Sequence, residues 1–160
     1  MKILLPLIFV LSLALGSCEN DHHGPDGGLH VHVAPHGGML LELGEHGSGH
    51  NLELFLHDQG FLQVYVLDAH AEEFVRIEQP TIEILVTDAN GSSKTFVCDA
   101  IADPITGESV GDSSLFTSTE RISDRLPLKG TIPSLVILGK FYENVSFEFK
   151  GNPPGHEDEH

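Results

Sequence analysis

The chain has 160 residues, with 24 Asp and Glu against 8 Lys and Arg and a formal net charge of -16. Such acidity argues against a nucleic-acid partner, because phosphate recognition needs clustered Lys and Arg. It also disfavours docking on anionic lipid through a basic face. Hydrophobic residues, 40% of the total and spread along the chain, suit one ordinary globular domain. The 11 His, beside no Trp and 2 Met, make imidazole the main borderline metal ligand available.

Met1-Lys2 is a short basic start, followed by the apolar run Ile3 to Leu15 and then Gly16-Ser17-Cys18. The run is shorter than the roughly 20 residues that span a bilayer, and it has the flanks of a secretory signal. Its Leu15-Gly16-Ser17-Cys18 ending resembles the lipobox of bacterial lipoproteins, in which the Cys is lipidated and becomes the new N-terminus. That resemblance implies a signal peptide over 1–17, lipidation at Cys18, and a protein of the bacterial envelope facing the periplasm. Which membrane holds the lipid stays open. Cys98 is then left without an intramolecular partner.

Residues 18–34 are rich in Gly, His and Asp and read as a disordered, His-rich tether. Residues 35–150 carry a strand-like pattern, and 151–160, with Pro153-Pro154 and several acids, read as a disordered acidic tail. The best-defined unit is a hairpin. Leu52, Leu54 and Leu56 alternate with Glu53, Phe55 and His57, Asp58-Gln59-Gly60 turns the chain, and Leu62, Val64 and Val66 alternate with Phe61, Gln63 and Tyr65. Pairing His57 with Phe61 puts Leu52 opposite Val66, Leu54 opposite Val64 and Leu56 opposite Leu62, with Glu53 meeting Tyr65 on the other face. Further strands are expected over Ile82 to Val86, from Lys94 to Cys98, at Leu135 to Leu138 and over Val145 to Phe149, with a turn at Asp88 to Gly91. Lys129-Gly130 reads as a turn, and a short helical turn fits between Ser118 and Leu126. Short strands with Gly and Pro punctuation predict an all-β fold, an antiparallel β-sandwich of Ig-like or similar type. Cys98 alternates in step with Phe96 and reads as a small core residue.

Seven of the eleven His lie between positions 22 and 50. His30 and His32 share a side at strand spacing, and His36 follows Pro35, so one short segment offers three imidazoles to Zn²⁺ or Cu²⁺. His22 and His23 read as solvated tether. Extending the hairpin register places His50 opposite Asp68, with His70 two residues further on, which gives a second candidate metal shell. His57 is at the other end of the hairpin, roughly 20 Å away at strand rise, and is left out.

The segment Ala34-Pro35-His36-Gly37-Gly38-Met39-Leu40-Leu41-Glu42-Leu43-Gly44, with the Leu62-Gln63-Val64-Tyr65 strand and the Ile82 to Val86 strand, resembles the N-terminal domain of periplasmic adaptor subunits of cobalt–zinc–cadmium-type heavy-metal efflux pumps. Those adaptors continue into a helical hairpin and barrel domains, which are not expected here. The resemblance implies a stand-alone, lipid-anchored relative of the metal-associated domain, with His36 the one candidate ligand that matches by position and efflux-pump components as partners. The expected function is therefore binding or buffering of a divalent transition metal, Zn or Cu, through His30, His32, His36, His50, Asp68 and His70. The alternative is a structural or protein-docking envelope lipoprotein whose His are incidental. No compact ligand motif with an adjacent general base is present, so an enzyme is not expected.

Overall fold

The computed structural model describes residues 32–87 and 92–154. The signal peptide, Cys18, His22, His23, His30 and the Asp88 to Gly91 turn lie outside the described residues. Eight strands follow one another: β1 (Met39–Leu43), β2 (His50–Leu56), β3 (Phe61–Leu67), β4 (Thr81–Thr87), β5 (Ser93–Ala100), β6 (Leu115–Arg121), β7 (Leu128–Ile137) and β8 (Lys140–Phe149). The expected all-β, antiparallel fold is what forms. All eight strands join a single sheet in the order β1-β2-β3-β6-β5-β4-β7-β8. This sheet curls until β1 and β8 meet, so the two layers expected of a sandwich are two sides of one nearly closed sheet.

The hairpin register is the expected one, with Leu52↔Val66, Leu54↔Val64, Leu56↔Leu62 and Glu53↔Tyr65 as partners. Gly60 closes its turn at φ +88, a value a side chain resists, and His57 N–H donates to Phe61 O at 2.9 Å. The inward residues of this hairpin join Ile82, Ile84, Phe96, Cys98, Phe116, Ile132, Leu135, Ile137 and Phe149 in one core. Where β1 and β8 do not pair fully, side chains bridge the seam. His50 Nδ1 and Tyr142 OH lie 2.8 Å apart, and Lys140 Nζ donates to Ser48 O. Asn152 pairs with the backbone of Leu56 like a short strand, accepting from its N–H at 2.7 Å and donating to its C=O at 2.9 Å. The start of the expected disordered tail is therefore held to the domain.

Three details depart from the sequence pattern. Strand β6 was not legible, because its inward positions are Phe116 and the polar Ser118, whose hydroxyl serves Leu62 N–H and Glu120 O. The expected Lys129-Gly130 turn is strand interior. A Cβ on Gly130 would stand 2.7 Å from Phe147 Cζ and 2.8 Å from Ile84 Cγ2, so glycine here permits close packing rather than a turn. Leu138, expected as the end of a buried strand, sits in the β7–β8 turn with its side chain exposed. The short helical turn expected between Ser118 and Leu126 does form, as a single 3-10 turn at Ser123–Arg125.

Candidate functional site

The outer face of β2 is not wet, although strand alternation alone suggests it. Glu53 is fully buried there, directly beside Tyr65 of β3. The chain ahead of β1 folds over this carboxylate. Glu53 Oε1 accepts the backbone N–H of His36 at 2.9 Å and of Gly38 at 2.8 Å, and Oε2 lies 2.9 Å from His36 Nδ1. The Pro-His-Gly-Gly segment thereby acquires a physical reason. Gly37 N–H closes a turn onto Ala34 O with φ +75, and a Cβ on Gly38 would come within 2.5 Å of Leu54 O and 2.9 Å of Glu53 Cγ. His36 then stacks on Tyr65, ring centroids 3.9 Å apart, with Phe74 tilted at 5.7 Å. Burial and the neighbouring Glu53 push the Tyr65 phenol above its ordinary value.

His36 is therefore held by Glu53 and two aromatic rings. Its neighbour in the expected trio, His32, instead reaches the loops at one end of the sheet. There its ring stacks on His46 at 4.9 Å between centroids and meets His70 edge-on at 5.7 Å. Three imidazoles thus gather from three separate segments: the chain before β1, the β1–β2 loop and the β3–β4 connection. The loops beneath them are braced. Ser48 and Gly49 N–H both donate to Glu45 O, and Gly49 packs so closely on Leu43 that a Cβ would reach within 1.8 Å of its carbonyl oxygen. His46 Nδ1 lies 2.8 Å from Glu42 Oε1, which engages one ring nitrogen. A carboxylate on the second nitrogen is the usual support of a metal-binding imidazole. The loop bearing His70 is tied by Asn51, buried, whose amide donates to Asp68 O at 2.9 Å and Ala69 O at 3.1 Å.

The second expected shell is arranged differently. Asp68 accepts the N–H of Glu72 at 2.8 Å and of Glu73 at 3.2 Å, so its carboxylate caps its own loop. Burial raises its pKa, but the backbone bonds from Glu72, Glu73 and His70 outweigh that and hold it below the usual carboxylate range. His50 turns inward to Tyr142. Its desolvation, reinforced by Lys140 and opposed by Asp68, holds the imidazole below its ordinary value. Of the six candidate ligands, the structure brings His32 and His70 together, gives His36, His50 and Asp68 other partners, and does not describe His30. It adds His46, whose loop position has no periodicity that would single it out.

The three rings stack or meet edge-on instead of converging on a point. Among the described residues, no three His, Cys, Asp or Glu side chains form a ready-made metal site. The His46 side chain is 60% exposed, and ligation would require it to rotate out of its stack on His32. Cys98 is buried, its thiol pushed up to about 12 by desolvation and the nearby Asp99, which leaves it inert as a ligand or nucleophile. Among the described residues no helix is long and apolar enough to cross a membrane. Compared with family models, curated proteins and solved structures, the chain finds no match.

Proposed function

We propose that this chain is a lipid-anchored protein of the bacterial envelope that binds a divalent transition metal, Zn²⁺ or Cu²⁺, through the imidazoles of His32, His46 and His70. The observation that carries the reading is their meeting from three distant segments, on loops braced by Glu42, Glu45, Asn51 and Asp68. Imidazoles on exposed loops carry no cost of their own for a folded domain, but setting the His32 ring within 6 Å of both His46 and His70 serves no packing need at the surface. Neutral imidazole selects borderline metals over Mg²⁺ and Ca²⁺, and a net charge of -16 raises the local cation concentration. The leader with its Leu-Gly-Ser-Cys ending supports the envelope placement, and the Pro-His-Gly-Gly resemblance supports a role beside heavy-metal efflux.

A calorimetric titration of Zn²⁺ into the full chain tests this reading. Saturable binding at micromolar or tighter, weakened at least about tenfold by His46→Ala, is expected. Binding that is absent, or that H46A leaves unchanged, contradicts it. A second reading, docking to an envelope partner, draws on the β7–β8 hairpin, where Leu138 and Phe141 are 74% and 75% exposed.

A further inference from the structure

Beside the His36–Glu53 pair lies a cleft of about 620 Å³, a size suited to a small ligand. One wall is aromatic. His36, Tyr65 and Phe74 form a corner, with Phe74 at 5.7 Å from His36 and 6.0 Å from Tyr65 and inclined to them by 46° and 52°. Phe74 is 49% exposed, an aromatic surface that the fold leaves uncovered. Holding His36 flat on Tyr65 is the work of the buried Glu53, so this wall is rigid before any ligand arrives.

The rest of the lining is acidic. Glu72, Glu73, Asp103 and Glu108 line the cleft, and Arg76 lines it too. The Arg76 guanidinium is spent on the wall itself, 3.2 Å from Asp112, 3.4 Å from Glu108 and donating to Thr106 O at 2.6 Å. Glu108 is further engaged by the Ser114 hydroxyl at 2.6 Å. Glu72 and Glu73 receive no such partner from Arg76 and lie exposed at the mouth beside Phe74. Aromatic faces attract cations through their quadrupole, and carboxylates at the mouth add to that attraction and repel anions.

The geometry points to a binding site for a small organic ammonium ion, its cationic head against the exposed Phe74 ring beside the His36–Tyr65 stack and its charge balanced by Glu72 and Glu73. This site is distinct from the three imidazoles and does not depend on them. An ammonium ion differs from a metal ion in needing no lone-pair donors converging on a point, and this cleft supplies faces and charge instead.

Choline and its uncharged isostere 3,3-dimethylbutan-1-ol, titrated separately into the full chain by calorimetry, test the proposal. Choline is expected to saturate the protein in the millimolar range or below, and the alcohol to bind at least about tenfold more weakly. Phe74→Ala, at a half-exposed position the fold tolerates, is expected to weaken choline at least about fivefold. The double variant Glu72→Gln, Glu73→Gln keeps the backbone bonds of this loop and is expected to weaken choline while flattening its salt dependence. His46→Ala is expected to leave choline binding unchanged, which separates this site from the metal reading. Equal binding of the two isosteres, no saturation into the tens of millimolar, or unchanged affinity in F74A overturns the proposal.

Discussion

Replacing Glu53 tests whether the segment before β1 is stapled to the sheet by a buried carboxylate. The side chain is fully buried and accepts two backbone N–H groups and one ring nitrogen, at 2.8 to 2.9 Å. In Glu53→Ala the N–H groups of His36 and Gly38 lose their acceptor, each at about 1–3 kcal/mol if left buried, and the departing methylenes open a cavity. Water entering the vacated space offsets part of this, so a net loss of about 3–5 kcal/mol is expected. Glu53→Gln keeps the volume and the acceptor for both backbone N–H groups, exchanging charge-assisted bonds for neutral ones, and should lose about 1–2 kcal/mol. Urea unfolding followed by circular dichroism measures both, and the thermal midpoint should fall by roughly 3–6 °C per kcal/mol for a domain of this size. If E53A unfolds within about 1 kcal/mol of the parent, the carboxylate is not what holds this segment, and the account of the Pro-His-Gly-Gly motif fails.

Three further outcomes are expected. His50 has a folded-state pKa below its unfolded value, so the unfolded chain takes up the proton first. Stability should therefore be complete above about pH 6.5 and decline as pH falls through the lower folded value. In His50→Gln that part of the slope should vanish, and an unchanged urea-midpoint profile between pH 7 and 5 would refute the assignment. Cys98, with its thiol at about 12, should react with a thiol reagent at pH 8 at least about a thousandfold more slowly than in denaturant; rapid labelling of the folded protein contradicts its burial. Gly130→Ala should cost about 1–3 kcal/mol in urea unfolding, because the new methyl meets Phe147 and Ile84, and a neutral effect would show that those rings yield freely.

Much of the fold was readable because it rests on alternation and turn chemistry. Leu52, Leu54, Leu56 and their partners define one register, and a slip of one residue would turn all of them outward. The same rule hid Glu53 and Asn51. Alternation assigns them correctly to the outer face, yet cannot say that a loop from elsewhere will cover it. Ser118 and Gly130 misled for a related reason, since a polar residue or a glycine inside a strand is explained only by the atom it meets. The candidate site was half legible. The concentration of His before position 50 singles out His32 and His36, and the hairpin register singles out His70. His46 was missed because loops carry no period, and the pairing of His32 with His46 and His70 is set by where the chain before β1 runs over the sheet.

Nitrogen-15 spectra of the imidazole rings in the full chain, recorded as Zn²⁺ is added, test whether imidazoles of three segments share one metal ion. The ring nitrogens of His32, His46 and His70 are expected to shift together and saturate at one equivalent, and the changes to reverse as pH falls from 7.5 to 5.5 because ligating imidazole must shed its proton. Shifts confined to other His residues, or none at stoichiometric Zn²⁺, would contradict it.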